Sequence, residues 1–308
     1  MRILVTGGAG YIGTLLIPEL LERGHKVTLL DNFTFGIQPL LHFITHPNLT
    51  IVSGDVRKDA ILDEQVPEHD MIIHLAAIVG YPACAAYPLD AETINVGSTR
   101  KIMDRMSPNQ SIMYASTGST YGKVDGICDE ETPINPLTLY GKTKWIAEQR
   151  VMEHTNAVSM RFATVFGIAP RLRLDLLVND FVHQAIHNKQ IILFEGHFRR
   201  TFLHARDAAR VYTHAMDNWD AMKGEVFNVG DESMNFTKKE LALEIQKQVP
   251  YYLHEADIGE DLDKRDYEVS YAKIKEHGYS ATVGMEDGIA ELVRSLRHLK
   301  YKNPFRNI

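Results

Sequence analysis

The chain has 308 residues, 44% of them hydrophobic and 24% charged, enough for a well-buried core in one large or two modest domains. Its formal charge of −7 excludes a general nucleic-acid binder, because no basic excess exists to neutralise phosphates. Only two cysteines, Cys84 and Cys128, occur, and the chain opens in a strand-like run (MRILVTGG) without a charged, apolar leader, so the expected location is the cytoplasm. The longest apolar run, MIIHLAAIVG, is too short to span a bilayer.

In chain order, short β-branched runs alternate with longer helical patterns, the signature of βαβ units and a parallel sheet. Strands are expected at 2–6, 26–31, 49–53, 71–76, 111–116 and 158–164. Helices are expected around 11–23, 90–105, 139–154, 174–188, 205–217, 237–247 and 285–299. The expected fold is a Rossmann-type doubly wound sheet over residues 1–165, with 200–230 packing back onto it. A smaller C-terminal substrate-binding domain would cover 166–308.

The first strand ends in VTGGAGYIG, where Gly7, Gly10 and Gly13 let the backbone turn tightly and approach a pyrophosphate at a helix N-terminus. Asp31 closes the second strand, placed to bind the adenosine ribose hydroxyls and repel a 2′-phosphate, which favours NAD over NADP. Asp55, in SGDVR, either reaches the adenine or is a turn residue. The small residues of HLAA lie where the sheet edge must admit a dinucleotide.

The strand SIMYAS runs into STGSTYG, so its hydroxyls emerge at the carboxyl edge of the sheet. The next helix begins LYGKTKW, with Tyr140 and Lys144 one turn apart. A tyrosine ionises near pH ~10, but a neighbouring cation favours its phenolate, which can take the proton of a substrate alcohol. Thr117 is placed to hydrogen-bond the same oxygen.

These segments, with DNFTFG, INVGST, RFATVFG and RRTFLHARD, resemble, in order and over essentially the whole chain, the extended short-chain dehydrogenase/reductases that act on nucleotide sugars. The resemblance implies Tyr140 as catalytic acid–base, Lys144 on the nicotinamide ribose and Thr117 as third member. It implies NAD contacts at Gly7, Gly10, Tyr11, Ile12, Gly13, Asp31, Asn32, Asp55, Val56, Leu75, Ala76 and Ala77. Asn95 would be a supporting helix residue. Arg200 is implied at the substrate diphosphate, which suits a planar guanidinium. Arg265 is a second diphosphate candidate or a surface arginine, and Asn179 meets the nucleotide or is helix-surface polarity. Thr164 stands where many relatives carry asparagine, which leaves its substrate contact in doubt.

Residues 161–210 carry eight Lys and Arg against four acids, a local basic excess suited to a diphosphate. HQAIH has zinc-helix spacing but Gln184 where a catalytic glutamate would sit, so no metal is expected. His74 and His204 read as core histidines, and Cys84 has no sequence neighbour that marks a nucleophile.

The implied reaction is NAD-dependent oxidation at carbon 4 of a nucleoside-diphosphate sugar through a 4-keto intermediate, as a 4-epimerase. PRLRLDLLVNDF, HFRRTFLHARD and IGEDLDKRDYEVS resemble the group oxidising GDP-linked heptoses at carbon 4, which makes a net dehydrogenase or reductase the alternative. A non-catalytic NAD-binding protein is the reading from another class, and the intact Thr–Tyr–Lys set speaks against it. The resemblance also implies a homodimer through helices 90–105 and 139–154, with Ile102, Met106, Trp145, Ile146 and Val151 as its apolar contacts.

Overall fold

The computed structural model describes residues 1–256 and 266–299. Seven parallel strands form the central sheet, in the order Val226–Val229, Ala157–Phe162, Ser111–Thr117, Met71–His74, Arg2–Thr6, Lys26–Asp31, Leu49–Ser53. The interior strands are apolar on both faces because helices cover both. On one face, Leu16, Ile17 and Leu20 of helix Gly13–Glu22 pack with Ala208, Val211 and Tyr212 of helix Ala205–Asp217. On the other, Ile94, Ile102, Ala147 and Val151 pack against Leu4, Ile72, Ile112 and Tyr114. The doubly wound sheet expected from the alternating pattern is the one that forms.

The strand order reverses between Arg2–Thr6 and Met71–His74, and open α/β sheets bind ligands outside the carboxyl ends of the strands at such a point. A second apolar cluster gathers Phe166, Val178, Val182, Phe202, Leu241, Ile245, Ile289 and Leu292 around a three-stranded sheet of Thr164–Phe166, Arg199–His204 and Asn235–Thr237.

Three features depart from the expectations. The seventh strand, VFNV at Val226–Val229, is too short to stand out as a pattern, yet it pairs in parallel with Ala157–Phe162. The helix expected over 90–105 is wound as a π-helix over Ala91–Ser98, then as an α-helix over Thr99–Met103. The Ser98 and Thr99 hydroxyls bond back to the carbonyls of Ile94 and Asn95, which accompanies the widened turn. Finally, Ile102 and Val151 cannot serve as a dimer surface, because both are fully buried in the protein's own core. Met106 packs against that core, and Ile146, at 41% exposure, is the apolar group left facing outward among those five.

Candidate active site

The glycine turn is built for close approach. Gly7 has φ +70°, and a Cβ there would lie 2.6 Å from the backbone nitrogen of Ala76. The end of the first strand therefore reaches the backbone at the end of the fourth only because residue 7 carries no side chain. Gly10 donates its N–H to the Gly7 carbonyl at 3.0 Å, closing the turn. Helix Gly13–Glu22 follows; Ile12 at its N-cap offers no side-chain acceptor, and Thr14 donates its N–H back to the Gly10 carbonyl at 3.1 Å, so no side chain competes with an anion at this helix start. Asp31 accepts N–H bonds from Ala9 at 3.0 Å and Phe33 at 2.8 Å. Burial raises its pKa, opposed by those two bonds. The carboxylate is thus oriented at the sheet edge, beside the turn. A side-chain-free cradle, an uncapped helix start and an oriented carboxylate fit a dinucleotide.

The neighbouring residues divide. Leu75, Ala76 and Ala77 line the edge half-buried, Val56 is buried in the sheet's core, and Asn32 is exposed with its Oδ1 accepting from Thr34. Asp55 is engaged by Arg57, whose hydrogen bonds to both its carboxylate oxygens hold its pKa down. Arg57 continues to Asp90 at 2.6 Å, so Asp55 ties the third strand to the segment that carries Asn95. Asn95 is buried and bonds both backbone groups of Ile78, at 2.8 and 3.0 Å, and the hydroxyl of Thr143 at 3.0 Å. It links the loop after the fourth strand to the Tyr–Lys helix.

Helix Leu139–Met152 is capped by Thr138, whose Oγ1 accepts the Gly141 N–H at 3.1 Å. A Cβ on Gly141 would lie 2.7 Å from the Ser119 carbonyl oxygen. That close approach sets the first turn of the helix, which carries Tyr140, against the 118–120 turn that follows Thr117. Thr117 is buried, donates to Ser119 Oγ at 3.1 Å and accepts the Ser119 N–H at 3.2 Å. Tyr140 is half-buried, whereas Lys144 is 3% exposed with Nζ 4.1 Å above the ring of Tyr114. Burial pushes the Lys144 amine down to about 7, opposed by Glu148 and Cys84.

Among the expected substrate residues, Thr164 is half-buried on Thr164–Phe166, in register with Phe202. Arg200 is 4% exposed on the neighbouring strand, with Nη1 donating to the Arg199 carbonyl at 2.9 Å. Asn179 is not helix-surface polarity. It is fully buried, its Oδ1 accepts the Gly167 N–H at 2.9 Å, and its Nδ2 donates to the Arg173 carbonyl at 2.8 Å and to Tyr11 Oη. Arg265 lies outside the described residues. The basic excess of 161–210 is not one patch, since Arg161, Arg173, Arg199, Arg206 and Arg210 are each paired to a carboxylate.

His74 is a core histidine bonded to Thr6 and Thr99 at 2.7 and 2.9 Å, and His204 is buried with Nε2 3.3 Å from Glu291. The rings of His183 and His187 lie 4.5 Å apart, and among the described residues no group of three His, Cys, Asp or Glu gathers to hold a metal. Cys84 is buried and its thiol is raised to about 11 by burial. Arg171 is the residue that sequence reasoning missed at the cofactor end. Its guanidinium stacks 4.0 Å over Phe35, and its charge bears on Asp31, 140 positions away, too far for any local motif to signal.

Residues 3–230 match the NAD dependent epimerase/dehydratase family. The chain belongs to that family. A putative UDP-glucose 4-epimerase of Methanocaldococcus jannaschii is 28% identical over 96% of this chain and 98% of its own length. A UDP-N-acetyl-alpha-D-glucosaminuronate decarboxylase of Bacillus cytotoxicus is 27% identical over 97% of this chain and 98% of its own. In fold, the chain is similar to the UDP-glucuronic acid 4-epimerase of Bacillus cereus, solved with UDP-glucuronic acid and NAD (TM-score 0.84, 24% identity, 97% of this chain and 100% of that one). As a member of the NAD-dependent epimerase/dehydratase family the chain is an enzyme with NAD as its cofactor, and the family fits chemistry at carbon 4 of nucleotide sugars. No described helix is long and apolar enough to cross a membrane.

Proposed function

We propose that this enzyme oxidises carbon 4 of a nucleoside-diphosphate sugar to a 4-ketone and reduces it again on the other face, as a 4-epimerase. What supports this reading is the close packing of the helix start that carries Tyr140 and Lys144 against the turn that follows Thr117, at the carboxyl end of strand Ser111–Thr117. NAD, when bound, supplies the hydride acceptor and donor. Tyr140 takes the proton of the carbon 4 hydroxyl and returns it, Thr117 holds that oxygen, and the Lys144 ammonium favours the phenolate. Arg200 is the proposed diphosphate contact and Thr164 a neighbouring substrate contact, while Asp31 orients the adenosine ribose.

A net 4-dehydrogenase or reductase of a GDP-linked heptose is the second reading, favoured by the segments PRLRLDLLVNDF and HFRRTFLHARD. Elimination of water is disfavoured for a chemical reason. The 4,6-dehydratases that this chain resembles follow their threonine with an Asp–Glu pair that protonates the leaving hydroxyl and takes the carbon 5 proton. Here Gly118 and Ser119 follow Thr117, and a Cβ at 118 would lie 3.2 Å from Tyr267 Oη.

The deciding experiment is mass spectrometry of nucleotides released on denaturation, followed by turnover of a panel of nucleotide sugars in deuterated water. An epimer of unchanged mass supports the first reading, and a 4-ketone with equimolar NADH supports the second. A product lighter by one water with deuterium at carbon 5 would overturn both. We also propose a cytoplasmic homodimer, as in the family it resembles; a monomeric mass by light scattering at micromolar concentration rejects the dimer.

A further inference from the structure

Two groups surround Lys144 that the reaction itself does not use. Tyr114, on strand Ser111–Thr117, lies under the amine with its ring centre 4.1 Å from Nζ. Its hydroxyl is fully buried and has no hydrogen-bond partner among the described residues. A buried, unbonded hydroxyl destabilises a protein, so the oxygen does not explain a tyrosine here; the ring face does. Glu148 lies one helical turn beyond Lys144 on the same face. It is 1% exposed and accepts from Arg161 Nη2 at 2.7 Å and from Ser159 Oγ at 3.0 Å. A buried ion pair adds little stability over a well-packed apolar pair, which leaves its presence behind the Tyr–Lys helix to be explained by something else.

We propose that the Tyr114 ring and the Glu148 carboxylate are positioning residues for Lys144, keeping its buried amine charged where the Tyr140 phenolate needs a cation. Water cannot do this, since the amine is almost wholly enclosed. Of the other titratable groups near it, Cys84 favours the charged amine less than Glu148 does, His74 behind it is neutral, and Tyr140 is the group being served. Arg161 is ion-paired to Glu148, and Glu148 in turn acts on the amine from its own helix. The inference rests on the reading of Tyr140 and Lys144 as the proton-handling pair, but its own content is the protonation of one lysine.

That protonation can be measured without turnover, by NMR titration of Lys144 in isotopically labelled full-length protein, with the signal assigned by Lys144→Arg. The wild-type amine should titrate near pH 7. Tyr114→Leu removes the ring face and should lower the midpoint by about one pH unit, whereas Tyr114→Phe keeps the ring and should leave it in place. Glu148→Gln should lower it by a similar amount; if the stranded guanidinium prevents folding, the double variant Glu148→Gln with Arg161→Met removes both charges and keeps the test. Tyr114→Leu titrating with the wild type, Tyr114→Phe moving as far as Tyr114→Leu, or an unmoved midpoint in whichever Glu148 variant folds would each overturn the proposal. Turnover is read separately. If the midpoints move and carbon 4 oxidation does not fall with them, the tuning stands and the catalytic reading of the pair fails.

Discussion

Asn179 and Tyr11, 168 positions apart, meet in one hydrogen bond of 3.2 Å from Nδ2 to Oη. Tyr11 in turn donates to the Gly167 carbonyl, so the glycine turn is fastened to the loop that begins the second apolar cluster. Tyr11→Phe keeps the ring but leaves buried polar groups short of a partner, and should destabilise the protein by ~1–3 kcal/mol. Denaturant unfolding checks this, and a loss below a few tenths would mean the fastening carries no weight.

Tyr140→Phe should leave the fold and NAD binding nearly intact while turnover falls by ~10²–10⁴-fold, the usual worth of a positioned acid–base group. Near-normal turnover would remove Tyr140 from the mechanism.

NAD should bind more tightly than NADP, because a 2′-phosphate would face Asp31, a mismatch worth ~1–3 kcal/mol. Asp31→Ala should narrow the gap in a binding titration, and more so because Arg171 already lies at this end of the cleft. Tighter binding of NADP to the unaltered chain would contradict the role given to Asp31.

How much of this was legible in advance depends on the range of each interaction. The glycine turn, Asp31 and the Tyr140–Lys144 spacing are local patterns, and the alternating strands that place them at one sheet edge repeat often enough to read. The burial of Asn179, which rules out surface polarity, was not legible because its partners Tyr11 and Gly167 are not revealed by its own helix. Glu148 and Arg161 look like surface charges in isolation, and only the fold brings both into the core. The strand Val226–Val229 owes its existence to a neighbour some seventy residues earlier in the chain.

Acid should weaken the fold through His74. Burial, and then the Lys144 charge, lower its pKa from 6.5 to about 3. Between those values the unfolded chain binds a proton that the folded one refuses, so stability falls as pH drops through that window and is unaffected above it. His74→Gln lacks this dependence. The stability gap between wild type and variant should therefore be about 2 kcal/mol smaller at pH 5 than at pH 7. Urea unfolding at the two pH values checks it, and a constant gap would mean His74 is charged in the fold.

The Tyr267 hydroxyl beside Gly118 also bears on how this enzyme could change its chemistry over evolutionary time. An acidic side chain at 118 would start 3.2 Å from that oxygen, tighter than most contacts of its kind, so the tyrosine would have to shift with it. The strand that carries Tyr267, Asp266–Val269, is paired to Lys123–Cys128, directly downstream of the Thr117 turn. An acidic residue at 118 would thus be coupled to position 267, a turn and a strand far apart in the gene. A substitution at 118 is therefore felt at 267, so the two positions are expected to change together rather than singly.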